Sequence, residues 1–389
     1  MTCACAIPGG GIKMEISNGL EDIYIKNTAL TSIDGEKGIL RYRGYDIKDL
    51  VEKCSYEEVS FLMLFGELPD RRKLAEFTSS VQKGYVLPEF TKRVISALPE
   101  DADALSVFET AFASLSCGED GFVWSRENVA LKAPEALGRA SAVVAAAYRH
   151  MAGKELKLPE PTESYARSFL QACFDGAVDK RAVTVMNRAL VLYADHEVPA
   201  STTAAIVSCS TLSDMYSSIA AAIAALKGPL HGGAAEAAYS QFEDIGSPEN
   251  VDHWFQTNVV EGKRRLMGFG HRVYRTYDPR MAIFKSMAIE LSTSDEDRQT
   301  LEIAEKLEKL GVERFAPKHI FPNTDFYSGV AFKGIGFPLH MFTALFALSR
   351  TVGWIAHMSE YVENGGRIMR PRANYTGPDA RVLQPVSHK

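Results

Sequence analysis

Hydrophobic and polar positions repeat with a helical period along most of the chain. In residues 179–194, "DKRAVTVMNRALVLYA", Val183, Met186, Leu190 and Tyr193 follow the i, i+3, i+7, i+10 spacing of one helix face. Asp179 stands just ahead as an N-cap, where a carboxylate accepts from the free N–H groups of the first turn. Leu105, Phe108, Phe112 and Leu115 repeat the spacing. In "APEALGRASAVVAAAYRHM" Pro134 predicts a helix start, the position at which a missing N–H costs least. "TSDEDRQTLEIAEKLEKLG" predicts a helix that opens at Ser294 on acidic residues and ends at Gly311. "SSIAAAIAALKG" is a further helix, stopped by Gly228 and Pro229, and its small residues allow close helix–helix approach. One stretch reads differently: "TSIDGEKGILRYRGY" predicts a small hairpin turning at Asp34-Gly35. There is no internal repeat and no low-complexity linker. The pattern predicts an all-α fold with a small N-terminal β-hairpin.

The chain has 389 residues, room for two or three domains at roughly 150 residues each. Its net charge of −6 argues against a nucleic-acid or anionic-membrane partner, so basic residues matter only where they cluster. Six cysteines (Cys3, Cys5, Cys54, Cys117, Cys173, Cys209) show no framework spacing, which fits free thiols in a reducing compartment. Cys3 and Cys5 are read as part of a ragged terminus. No basic segment precedes an apolar run at the N-terminus. The longest apolar runs are broken by Asp214 and Arg350, short of the ~18 residues of a membrane span. These features predict a soluble, cytoplasmic protein.

Chemistry concentrates in a few stretches. "GFGHRVYRTYDPR", residues 268–280, surrounds His271 with Arg272, Arg275 and Arg280, and Arg265 lies just before it. Guanidinium groups suit carboxylates and phosphates, so the stretch predicts a small polyanionic ligand with a histidine to supply a proton. The third glycine of a dinucleotide fingerprint is missing. In "KGPLHGGAAEAA", His231 precedes a helix whose positive end disfavours an imidazolium. A neutral imidazole there can donate to a carbonyl as it becomes an enolate. The alternative is a glycine-rich turn that happens to hold a histidine. "ADHEVPAST" carries His196, but no second histidine follows at metalloprotease spacing and Pro199 would break the helix. "FPNTDFYSG" places Asp325 in a turn-like segment, and "RIMRPRANYTG" places Arg370 and Arg372 around a proline. Nucleophile elbow and zinc-ligand spacings are lacking. Together the stretches suggest acid–base chemistry on an anionic substrate without a cofactor.

The chain resembles citrate synthase. "GLEDIYIKNTALTSIDGEKGILRYRGYDI", "DHEVPASTTA", "TLSDMYSSIAAAIAALKGPLHGGAAEA", "MGFGHRVYRTYDPR", "PNTDFYSG" and "RPRANYTGP" match in order over nearly the whole length, in wording most like the shorter archaeal and bacterial members. The resemblance implies a multi-helical homodimer with a large domain (residues 1–225 and 335–389) and a small domain (226–334) that closes over the substrates. It implies condensation of acetyl-CoA with oxaloacetate, then hydrolysis to citrate and CoA, with no metal and no cofactor. Asp325 would be the base that deprotonates the acetyl methyl group. His231 would stabilise the enol, and His271 would protonate the oxaloacetate carbonyl. His196, Arg280, Arg350 and Arg370 would bind oxaloacetate, Arg370 from the other subunit. Arg265, Leu266, Met267, Gly268, Phe269 and Arg275 would hold coenzyme A. The alternative is 2-methylcitrate synthase, which takes propionyl-CoA through the same residues, or a dual activity; one methylene discriminates by only ~1–3 kcal/mol. A helical binding protein that keeps the fold without catalysis is the rival from another class.

Overall fold

A computed structural model describes residues 16–20, 23–118 and 121–383; Cys3 and Cys5 lie outside them. Sixteen α-helices and one three-stranded antiparallel sheet occur among the described residues, so the all-α expectation holds. Asp179 caps the Lys180–Tyr193 helix by accepting from Arg181 N, and Met186, Leu190 and Tyr193 are buried on its inner face. Leu105, Phe108, Phe112 and Leu115 are likewise buried on the Ala104–Leu115 helix.

Two predicted helix boundaries are corrected. The helix containing Pro134 begins eight residues earlier and spans Arg126–Met151. Ser125 caps it by accepting from Asn128 N, and a long buried alanine-rich face outweighs the hydrogen bond that Pro134 cannot make. Ser294 does open the next predicted helix, in a reciprocal capping box with Asp297. That helix does not end at Gly311 but continues to Phe315. Gly311 is there for proximity: a Cβ at this position would collide with the Phe269 ring and Leu266.

The hairpin pairs β1 (Thr31–Asp34) with β2 (Ile39–Tyr42), Thr31 opposite Tyr42 and Asp34 opposite Ile39, around a turn at 35–38. A short third strand, β3 (Tyr45–Asp46), was not anticipated. The sheet braces two segments far away in sequence. Tyr42 Oη donates to Asp195 O at 2.8 Å, and Arg275 N donates to Gly35 O at 3.0 Å.

At the centre lies Phe342–Glu363, packed by Arg126–Met151, Lys180–Tyr193, Ala200–Cys209 and Met215–Leu226. The stretch Leu339–Glu363 is long and apolar enough, by length and composition, to cross a membrane. Arg350 interrupts the apolar run but not the helix, and 83% of the apolar window is buried inside the molecule, which makes this the core helix. A second group, Ala234–Ile245, Met281–Leu291, Asp295–Phe315 and Asp325–Ile335, packs together. It meets the first along Lys180–Tyr193, and the chemical residues gather there.

Candidate active site

Each of the three histidines is held neutral. His231 lies in the turn between Met215–Leu226 and Ala234–Ile245. Its Nε2 is 3.3 Å from Ser201 N and 2.9 Å from Ser201 Oγ. A backbone N–H only donates, so Nε2 accepts and the ring proton sits on Nδ1. Trp354 Nε1 donates to Ser201 Oγ at 3.2 Å, which leaves the hydroxyl hydrogen for His231. Ser201 is the second residue of Ala200–Cys209. His231 therefore meets the N-terminus of this helix as well as preceding Ala234–Ile245, the helix that the sequence suggested. Burial and then the nearby Arg350 charge push His231 down to about 4.

His271 has the opposite tautomer. Its Nδ1 accepts from Val273 N (2.9 Å) and Tyr274 N (3.3 Å), so Nε2 carries the proton. Burial lowers it to about 4; Asp278 pulls upward and Arg280 adds to the lowering. His196 is buried, 3.1 Å from Tyr274 Oη through Nε2, with its ring centroid 5.1 Å from that of His271. Burial, then Arg280, hold it well below the usual histidine range.

Two buried arginines face this group. Arg280 is gripped by Asp278 through Nε (3.0 Å) and Nη2 (2.7 Å). Arg350 donates from Nε to Tyr193 O at 2.7 Å and lies over the Phe346 ring, 4.5 Å from its centroid. Both are at most 2% exposed. A buried guanidinium keeps its charge, and Asp278 neutralises that of Arg280 while Arg350 makes no ion pair among the described residues.

Asp325 is the first residue of Asp325–Ile335 rather than part of an open turn. Its N–H donates to Asn323 Oδ1 at 2.9 Å, and Tyr193 Oη lies 3.4 Å from its Oδ1. Burial raises its carboxyl to about 6 against the pull of Arg280 and Arg350. Phe346 bridges the parts: its ring centroid is 4.7 Å from Tyr193 and 6.5 Å from His231. One cleft thus collects His196, His231, His271, Arg280, Arg350 and Asp325.

The remaining expected residues are placed differently. Arg265 and Arg275 are exposed, whereas Leu266, Gly268 and Phe269 are buried and Met267 is half-buried. Phe269 packs edge-on against Phe326, centroids 5.2 Å apart. Gly268 takes φ +76°, and a Cβ there would stand 2.9 Å from Phe326 Cα. Any ligand contact of Leu266 or Phe269 must therefore use backbone. Arg370 is exposed on the segment without regular secondary structure that follows the core helix. Next to it, Met369 N donates to Ser210 Oγ, beyond the end of Ala200–Cys209 opposite Ser201. Sequence reasoning assigned no role to Ser201, Asp278 or Asp195. All three lie inside quoted stretches, "ADHEVPAST" and "GFGHRVYRTYDPR", but nothing local tells which partner each will find.

Fold and site define a helical protein that sets two buried arginines beside neutral imidazoles and one carboxylate of raised pKa. The family model described as "Citrate synthase, C-terminal domain" matches residues 19–372. A citrate synthase of Saccharolobus solfataricus is 53% identical over 94% of this chain and 97% of its own length. One from Thermoplasma acidophilum is 51% identical over 96% and 98%. Among solved structures, the Thermoplasma acidophilum citrate synthase in ternary complex with carboxymethyl coenzyme A and oxaloacetate superposes with a TM-score of 0.93, at 50% identity, over 96% of this chain and 100% of that one. The chain belongs to the citrate synthase family, and with it to the acyltransferases.

Proposed function

We propose that this cleft condenses acetyl-CoA with oxaloacetate and that the citryl thioester is then hydrolysed to citrate and CoA. The observation that carries the reading is the tautomer of His231. With Nε2 occupied by Ser201, Nδ1–H is left to donate to the thioester oxygen, and the ring is neutral at working pH. A thioester methyl is a very weak acid, so a carboxylate base needs such a donor where charge develops.

The steps balance without a cofactor. The Asp325 carboxylate takes a proton from the acetyl methyl carbon while His231 stabilises the enol oxygen. The carbon attacks the keto carbonyl of oxaloacetate, and His271 Nε2–H gives its proton to that oxygen; the proton that Asp325 took from carbon is then released and replaces the one that His271 gave, so both groups end as they began. Water then cleaves the thioester, releasing CoA. Arg280, Arg350 and His196 hold oxaloacetate. Arg280 enters pre-oriented by Asp278, so its fork loses little freedom on binding a carboxylate. The exposed Arg265 and Arg275 take coenzyme phosphates, and the backbone of 266–269 lines the rest of that site. Residues 226–334 act as the small domain that closes over both substrates. The working form is a homodimer in which Arg370 enters the partner's cleft. A cytoplasmic location fits the free thiols of Cys54, Cys117, Cys173 and Cys209.

Thiol release from acetyl-CoA in the presence of oxaloacetate tests the reading, with propionyl-CoA run alongside to rank the acyl groups. Asp325→Asn should keep oxaloacetate binding and lose ~10²–10⁴-fold in rate, because an amide accepts no proton. Turnover of the variant within a few-fold of the parent contradicts the assignment.

A further inference from the structure

His196 sits on a strained turn. Its neighbour Glu197 takes φ +57° with a full side chain, a conformation that persists only where the surroundings over-determine it. The determinant is Asp195, whose carboxylate is fully buried. Its Oδ2 accepts from Glu197 N at 3.3 Å, from Thr31 Oγ1 at 2.5 Å and from His357 Nε2 at 3.2 Å. Its Oδ1 abuts Gly353, where a Cβ would stand 2.5 Å away.

His357, on the core helix, is fully buried, and its Nδ1 is 3.2 Å from Lys26 Nζ. An ammonium only donates, so Nδ1 accepts and Nε2–H is committed to Asp195. Lys26 donates to His357 Nδ1 and to His357 O (3.1 Å), and its ammonium forms an ion pair with Glu360 Oε2 at 2.6 Å. The Lys26 and Glu360 side chains are only 5% and 11% exposed. A continuous buried chain therefore runs Glu360–Lys26–His357–Asp195 and ends on the turn that presents His196. Buried charge of this kind is weak evidence for stability, since well-packed apolar groups serve as well. Its specific effect here is to fix one tautomer of His357 and, through it, one position of Asp195.

We propose that Lys26 and His357 are positioning residues for oxaloacetate, acting through Asp195 on His196. The N-terminal segment around Lys26 thereby belongs to the binding machinery, although it touches no substrate. The proposal rests on the reading of His196 as an oxaloacetate ligand.

Calorimetric titration with oxaloacetate, alongside melting temperatures, tests it. His357→Leu removes the donor to Asp195 and should weaken oxaloacetate binding about tenfold or more. His357→Gln places an amide N–H where Nε2–H was and should stay within about threefold of the parent. A purely structural role would cost both variants alike, so equal losses overturn the proposal, as does parent-like affinity in His357→Leu. If His357→Leu does not fold, Lys26→Met is read in its place: about tenfold weaker binding supports the chain, and unchanged binding overturns it. His196→Ala, titrated in parallel, separates the premise, because parent-like affinity there removes the ligand assignment itself.

Discussion

A base that must take a proton from carbon gains strength from a raised pKa, provided that it is ionised at the working pH. Asp325 meets both conditions at about 6, with burial pushing up and two arginines pulling down. The sign follows: the active form is the carboxylate, so protonation removes activity as pH falls through about 6. His231 and His271, both near 4, remain neutral donors through that range. Initial rates at saturating substrates should show an acid limb near pH 6, and a limb near the ordinary aspartate value would contradict the burial argument. At this scale the sequence revealed the types of group, histidines, arginines and a lone acid in glycine-rich stretches. It hid how they are held. Ser201 fixes a histidine 30 residues away, and Lys26 reaches one 331 residues away. Such pairings depend on the closed fold and leave no spacing signal.

Helix caps were legible because they are local: Asp179 and Ser294 each bond N–H groups within three residues. Pro134 and Gly311 were misread because tertiary packing overrode local punctuation. Gly311 illustrates the balance of terms. Replacing it with alanine gains up to ~1 kcal/mol of helix propensity. It also drives a methyl group into Phe269 and Leu266, an overpacking that costs ~1–3 kcal/mol where neighbours cannot retreat. They cannot retreat here: Met267 is tied to Gln241, Gly268 O accepts from Asn323 N, and Gly270 N donates to Phe321 O. Steric cost wins, so Gly311→Ala should lower the melting temperature and weaken acetyl-CoA binding. A raised melting temperature would show that propensity dominates instead.

At the scale of the whole molecule, the cleft gathers every expected oxaloacetate residue except Arg370. That residue stands on an exposed tail anchored through Met369 N to Ser210 Oγ, at the end of Ala200–Cys209 opposite Ser201. A tail anchored at the opposite end of that helix from Ser201 suits a two-fold dimer in which each tail completes the other's cleft. Asp325 and Arg370 of one site would then come from different chains. Arg370→Ala alone and Asp325→Ala alone should each be nearly inactive. When an equal mixture of the two variants is unfolded and refolded, about half the dimers should be mixed. In a mixed dimer one cleft collects both lesions and the other is intact. About a quarter of all sites should therefore work, well above either variant alone. Were Arg370 to serve its own chain, every cleft would keep one lesion, and the refolded mixture would be as inactive as its parents even with mixed dimers present by mass spectrometry.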